Sequence, residues 1–174
     1  MAEKNKDFVS IIENRLNNPR QRVFLSEFLE YLANLQGDGT RVEAIKTYIA
    51  KGNEYRTMVL FFMQCMWHPD VVFDLPETDP PFKPGDYPDL NLAPLSLFKA
   101  FGNVQYFATK AQKRIPQTIK REAKFIQVLE SMHPKEAAVF LMCKNKKLRG
   151  FPRVTEKVFR EAIPGVLPEK TKLS

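Results

Sequence analysis

The sequence predicts an all-α fold, a compact bundle of six or more helices. Apolar residues recur at intervals of three and four along most of the chain, which is the spacing of one helix face. Residues that favour helix ends separate these stretches, and no segment alternates apolar and polar residues as a half-buried strand does. With 174 residues, of which 44% are hydrophobic, the chain is long enough to enclose one core.

Three helices are predicted before the middle of the chain. The first lies in PRQRVFLSEFLEYLANL, where the apolar spacing continues as far as the sequence GDG. The second is TRVEAIKTYIAKG, in which Thr40 and Glu43 are placed as a capping box and Gly52 ends the helix. The third is NEYRTMVLFFMQCMW, which has Asn53 as its N-cap and is apolar on most sides. We expect this third helix at the centre of the core.

Residues 69–94 differ in composition from the segments on either side. They contain seven prolines and six acidic residues, and Lys83 is their one basic residue. Because proline lacks the backbone N–H that helices and sheets use, we expect a long acidic loop. Prolines interrupt its carboxylates and no D-x-D-x-D-G frame is present, so a calcium site is not expected. The candidate contacts for a protein partner in this loop are Asp74, Glu77 and Asp79.

At least three more helical segments are predicted in the second half. Helical spacing returns at LSLFKAFGNVQYFATKAQKR, stops at Ile115 and Pro116, and continues through QTIKREAKFIQVLESM. Pro134 then opens PKEAAVFLMCK, with His133 in the cap position, and Thr155 caps TEKVFREAI. The sequence therefore predicts a single helical domain over residues 19–169, an N-terminal arm or short helix over 1–18, and a tail over 170–174.

Several classes of protein are disfavoured by what the sequence contains. Cys65 and Cys143 each lie in an apolar helical pattern, and there is no CxxC pair or His-rich tract, so neither a metal nor another cofactor is expected. The N-terminus has no signal-peptide pattern, and the longest apolar segment is too short to span a bilayer. We therefore expect a cytoplasmic protein without membrane contact. His68 and His133 have no nucleophile or carboxylate partner suggested by the sequence, and no catalytic residue is predicted.

Positive charge is concentrated in the second half of the chain. Lys and Arg outnumber Asp and Glu by 27 to 20, a net charge of +7, which favours an anionic partner. The densest stretch is KNKKLRGFPRV, which has a Gly-Phe-Pro turn between two predicted helices. Such a bend suits a phosphate, because glycine allows close backbone approach and the cations attract the anion. The candidate DNA contacts are Lys144, Lys146, Lys147, Arg149, Gly150 and Arg153 in this stretch, and Lys110, Lys113, Arg114, Lys120 and Arg121 before it. The alternative interpretation is that they are ordinary solvated charges, favoured near a helix carboxyl end by its dipole.

The order of the segments resembles a known family. GTRVEAIKTYIAKGNEYRTMVLFFMQCMWHPDVVFDLP is similar to the start of the N-terminal DNA-binding domain of bacteriophage ATP-dependent DNA ligases. LSLFKAFGNVQYFATKAQKR falls where that domain has its middle helices. FIQVLESMHPKEAAVFLMCKNKKLRGFPRVTEKVFREAIPGVLPE resembles the closing segment, whose bend tracks the DNA backbone. The resemblance covers residues 23–169, and PGVLPE is its most specific part.

The resemblance implies an all-α domain that grips the sugar-phosphate backbone of duplex DNA without reading bases. It does not imply ligase activity, because the adenylated lysine of a K-x-D-G motif is missing: KNKD, KGNE and KPGD all depart from it. We therefore expect a phage-encoded, non-catalytic DNA-binding accessory protein of replication, repair or transcription that acts in the host cytoplasm. The alternative is a protein-interaction module that docks on a polymerase, a sliding clamp or a host factor.

Overall fold

Eight α-helices and two short 3-10 helices make up the regular structure of residues 2–170. The computed structural model describes residues 2–170, and most of the predicted tail lies outside the described residues. The α-helices are α1 (Ala2–Asn17), α2 (Leu25–Asn34), α3 (Asp38–Ala50), α4 (Asn53–Trp67), α5 (Leu97–Phe101), α6 (Thr118–Glu130), α7 (Pro134–Asn145) and α8 (Glu156–Ala162). The 3-10 helices span Leu90–Leu92 and Gly102–Tyr106. Residues 2–170 contain two isolated bridges and no strand, so the all-α prediction is confirmed.

The N-terminal segment forms a 16-residue helix that packs on α2. Ile12 and Leu16 are buried on its inner face. Arg15 pairs with Glu27 of α2 at 2.9 Å, and the same carboxylate accepts a hydrogen bond of 3.1 Å from the Phe24 N–H just before α2. This bond satisfies one of the N–H groups that the start of a helix leaves unpaired, so Glu27 both caps α2 and holds α1 against it.

Helix α3 begins three residues earlier than a cap at Thr40 predicts. The expected capping box at Thr40 is wrong, because the helix starts at Asp38 and Gly37 precedes it with φ of 81°. Glycine adopts that left-handed conformation without steric cost. Glu43 pairs with Lys46 at 3.1 Å instead of serving as a cap. Similarly, Asn53 is the first residue of α4 and Gly52 is its N-cap.

The core is built around α4 and a cluster of aromatic rings. Met58, Val59, Phe62, Met63 and Met66 of α4 are all buried, which agrees with its predicted central place. Rings from several elements meet beside it in edge-to-face and stacked arrangements, with centroids 5.3 to 6.3 Å apart, and they belong to Phe73, Phe107, Phe125 and Phe140. Such contacts add stabilisation beyond the burial of apolar area.

The segment before α5 is irregular, and the segment after it contains less helix than the spacing predicts. Between His68 and Asp89 the chain has no helix and makes one isolated bridge, between Phe73 and Ala108. After α5 and the second 3-10 helix, residues 107–117 form turns rather than a continuous helix. Arg121 of α6 donates to the carbonyl oxygen of Ile115 at 2.7 Å, which helps to fix this turn against α6. None of the helices in residues 2–170 has the length and apolar content that a bilayer crossing needs.

Candidate nucleic-acid interface

The bend between α7 and α8 is shaped by three residues with positive φ. Helix α7 ends at Asn145, and Lys146 follows in the left-handed conformation with φ of 52° and ψ of 37°. Gly150 has φ of 80° and Arg153 has φ of 66°. Left-handed residues are uncommon outside glycine and reverse the chain direction at helix ends. The bend, residues 146–154, therefore turns sharply before α8 begins at Glu156.

Two cations of the bend bind carbonyl oxygens of other elements. Lys146 donates a hydrogen bond of 2.7 Å to the carbonyl oxygen of His68, the residue that follows α4. Arg153 donates one of 3.0 Å to the carbonyl oxygen of Ala33 in the last turn of α2. Helix carboxyl ends expose unpaired carbonyls and carry negative partial charge, so cations are favoured there. Because a carbonyl is neutral overall, these bonds fix the two side chains without cancelling their charge.

Lys144 does not face outward, which corrects its prediction as a DNA contact. Its side chain is 3% exposed, and its ammonium donates to the carbonyl oxygens of Pro76 at 2.7 Å, Thr78 at 3.3 Å and Glu77 at 3.4 Å. The carboxylate of Asp79 lies 3.9 Å away. Burial lowers the pKa of Lys144 below its ordinary value. In this structure the acidic loop covers this lysine.

The outer part of the bend presents positive charge to solvent. Lys147 and Arg149 are exposed, and neither forms an ion pair with any carboxylate in residues 2–170. Gly150, between them and Arg153, has open space around it, since an added Cβ would meet no atom within 4 Å. The backbone here can therefore be approached closely by a ligand. Lys147, Arg149, Gly150 and Arg153 are the predicted bend residues that remain accessible.

Three of the five cations in the second predicted basic segment pair with carboxylates of the acidic loop. Lys110 pairs with Asp70 at 2.5 Å, and this hydrogen bond is the largest cause that lowers the pKa of the Asp70 carboxyl. Arg114 and Arg121 both pair with Asp74, at 2.5 and 3.1 Å. These three cations therefore have partners within the chain. The prediction that Arg121 contacts DNA is wrong, because its side chain is buried.

Arg121 is 4% exposed and serves the fold. Its guanidinium donates to the carbonyl oxygens of Asp74 at 2.6 Å and Ile115 at 2.7 Å. The segment's other two candidates, Lys113 and Lys120, are exposed and have no ion pair among residues 2–170. The structure thus leaves Lys113 and Lys120 as exposed, unpaired cations in the described part of this segment, as it leaves Lys147 and Arg149 in the bend.

Two of the three predicted partner-binding carboxylates have partners within the chain. Asp74 is paired with two arginines, and Asp79 accepts a hydrogen bond of 2.8 Å from the side chain of Asn145. Glu77 is exposed and makes no ion pair within residues 2–170. Asp74 and Asp79 therefore have partners within the chain, while the Asp79 side chain is still 58% exposed, and their role toward another protein stays a prediction. The role of Asn145 was missed, because its contact with Asp79 joins residues 66 positions apart and leaves no local sequence signal.

Other reactive groups offer no additional site in the described residues. Among residues 2–170 no three His, Cys, Asp or Glu side chains are grouped as metal ligands would be. Burial raises the pKa of the Cys65 thiol to about 12 and that of Cys143 well above its ordinary value. A thiol with such a pKa is almost wholly protonated at neutral pH and is a poor nucleophile. The Nδ1 atom of His133 accepts a hydrogen bond of 3.1 Å from Lys135 N–H, so this ring caps α7 as predicted.

Comparison with known proteins gives one match. Residues 28–150, from α2 to the middle of the bend, match DUF6433, a family of unknown function. No curated protein and no solved structure is significantly similar to the chain, and the resemblance to the ligase domain stays a prediction. Because the match spans well over half of the chain, this protein belongs to the DUF6433 family.

Proposed function

We propose that this chain is a non-catalytic protein that binds the sugar-phosphate backbone of duplex DNA through the bend between α7 and α8. The observation that carries the proposal is the anchoring of the bend's inner cations on neutral carbonyls. Lys146 and Arg153 are held at 2.7 and 3.0 Å from the oxygens of His68 and Ala33, and their positive charge is not cancelled there. The bend is therefore a fixed cationic surface without a carboxylate of its own.

The side chains that face outward fit a phosphate ligand. Lys147 and Arg149 are exposed on either side of Leu148, and Gly150 leaves the backbone accessible. Lysine and arginine contacts with phosphate oxygens give affinity but carry no base information. We therefore expect binding that is independent of sequence and strongly dependent on salt. The net charge of +7 adds long-range attraction to a polyanion.

A titration of fluorescent duplex DNA at several salt concentrations tests the proposal. The variant K147E/R149E reverses the two outward charges, and K4E/K6E on α1 changes the net charge equally at exposed residues outside the bend. We expect the wild type to lose affinity steeply with salt and K147E/R149E to lose at least about tenfold relative to K4E/K6E. If both variants bind equally, the bend is not the DNA site.

Failure of the wild type to bind duplex DNA at low salt would contradict the proposal as a whole. The protein-interaction alternative would then apply, with a polymerase, a sliding clamp or a host protein as the partner. Two exposed apolar side chains favour that alternative: Ile119 is 83% exposed at the start of α6, and Leu92 is 62% exposed in the acidic loop. Alanine substitution of Ile119 would then weaken capture of the partner.

A further inference from the structure

We propose that residues 76–81 form a displaceable strap that covers Lys144, and that the phosphates of bound DNA compete with this strap for the lysine beneath it. The inference rests on the DNA binding proposed above and describes how the same surface is regulated. In the closed state the strap holds one cation of the basic stretch inside the molecule. In the open state Lys144 joins Lys147 and Arg149 as a phosphate contact.

The acidic loop is attached to the domain differently along its length. Its first part is anchored in the core, since Phe73 is buried among other aromatic rings. The Asp74 N–H donates to the carbonyl oxygen of Phe107 at 2.8 Å. By contrast, no backbone group of residues 75–88 forms a hydrogen bond with another backbone group anywhere in residues 2–170. The strap therefore lies outside the network of backbone hydrogen bonds that stabilises the fold.

The polar contacts of the strap with the helices involve two neighbouring side chains of α7. Lys144 donates to the carbonyl oxygens of Pro76, Glu77 and Thr78. Asn145 donates to the Asp79 carboxylate at 2.8 Å, and that carboxylate is 58% exposed. Contacts of an exposed carboxylate are weak and screened by salt. A phosphate is a stronger acceptor for the ammonium than a neutral carbonyl.

Packing beneath the strap is incomplete. A groove of about 340 Å³ separates it from α6 and is lined by Pro76, Pro80, Pro81, Phe125 and Ile126, with Lys144 also in its wall. Well-packed interiors have few voids larger than a water molecule, so lifting the strap breaks fewer apolar contacts than moving a core segment would. Segments with few buried contacts open at low free-energy cost.

Two matched substitutions test the strap. D79N removes the carboxylate that Asn145 and Lys144 contact, whereas D86N makes the same change of net charge at an exposed residue without an ion pair in residues 2–170. N145A removes the same contact without any change of charge. We expect D79N to bind duplex DNA about two- to fivefold more tightly than D86N, because opening of the strap then no longer breaks the ion pair between Lys144 and Asp79. N145A is expected to shift affinity in the same direction.

A second test of the strap changes Lys144 itself. Adding K144Q to D79N is expected to abolish the gain in affinity, because the uncovered phosphate contact is then missing. Cleavage by a glutamate-specific protease after Glu77 reports strap opening independently, since cleavage tracks the population of the open state. We expect DNA to accelerate this cleavage in the wild type, while cleavage after Glu43 in α3 stays unchanged and shows that the fold is intact.

The outcomes separate the two proposals. If the wild type binds DNA, D79N and D86N bind equally and DNA does not change cleavage after Glu77, the strap inference is wrong and the DNA-binding proposal stands. If the wild type binds DNA, D79N binds more tightly than D86N and K144Q abolishes that gain, both proposals are supported. If neither wild type nor D79N binds at low salt, both proposals are wrong.

Discussion

The Nε atom of buried Arg41 donates a hydrogen bond of 3.0 Å to the carbonyl oxygen of Leu32, in the last turn of α2. The same guanidinium reaches the carbonyl oxygen of Leu35 at 2.5 Å and the carboxylate of Asp38 at 2.9 Å. Arg41 thus donates to two carbonyl oxygens at the end of α2, that of Leu35 and that of Leu32, which also accepts a hydrogen bond of 3.2 Å from the Leu35 N–H. Lys146 and Arg153 have the same role elsewhere, and part of this chain's positive charge therefore stabilises helix ends.

Replacing Arg41 should be costly. R41A leaves the buried carbonyl oxygen of Leu35 without a donor in residues 2–170, takes one of two donors from the Leu32 carbonyl oxygen and removes a side chain that is 2% exposed, so we expect a loss of roughly 3 kcal/mol in the free energy of unfolding. Urea denaturation measures it. K46A, on the exposed side of the same helix, should change stability by less than about 0.5 kcal/mol. Equal effects of the two substitutions would contradict the structural role of Arg41.

Lys146 combines a backbone effect with a side-chain effect, and two substitutions separate them. K146A removes the bond to His68 but keeps a non-glycine residue in the left-handed conformation, whereas K146G removes the bond and relieves the steric cost. We expect K146G to be about 1 kcal/mol more stable than K146A. Thermal or urea unfolding of the pair gives the difference directly. A K146A protein as stable as K146G would mean that residue 146 is not left-handed in solution.

Glu136 should make stability depend on pH. Its side chain is fully buried, Oε2 accepts a hydrogen bond of 3.2 Å from the Leu97 N–H, and Oε1 has no partner among residues 2–170. Burial is the main cause that raises the pKa of Glu136 from 4.5 to about 7. The folded protein therefore binds a proton more tightly than the unfolded chain, and stability falls as the pH rises between these values.

The variant E136Q keeps the shape and the acceptor but cannot ionise. We expect it to be more stable than the wild type at pH 8 by up to roughly 3 kcal/mol, and to lose most of the pH dependence between pH 4.5 and 7. Urea denaturation at several pH values checks both effects. E161Q, at an exposed carboxylate of α8, is the control and should leave the profile unchanged. A wild-type stability that rises over this interval would contradict the assignment.

The two outward cations of the bend should affect DNA binding more than a cation that is already paired. K147Q removes a charge without an ion pair in residues 2–170, whereas K110Q removes one that Asp70 neutralises at 2.5 Å. We expect K147Q to reduce the slope of log affinity against log salt by about 0.9, the value for one phosphate contact, and K110Q to leave it unchanged. A larger effect of K110Q than of K147Q would indicate that DNA binds at the segment before α6 rather than at the bend.

Most helices could be predicted because their signals are local. The apolar spacing of α4 and the proline that opens α7 act within a few residues of the helix they define, and α8 begins directly after Thr155 as predicted, although the Thr155 side chain makes no capping hydrogen bond. Predictions failed where contacts between different elements decided the geometry. Thr40 is not a cap, because Asp38 pairs with Arg41 and Arg41 reaches back to α2. Residues 107–117 are not helical, and bonds with Val72 and Asp74 hold this segment in turns.

By itself the sequence determined the helical class, the central place of α4, the position of the cationic bend and the irregular acidic loop. The tertiary structure decided which cations remain outside, because their partners are far away along the chain. Lys144 meets Pro76 across 68 positions, Lys146 meets His68 across 78, and Arg153 meets Ala33 across 120. Helix periodicity is a property of neighbouring residues, whereas the partner of a long charged side chain is known only when the fold has brought distant carbonyls and carboxylates within hydrogen-bond reach.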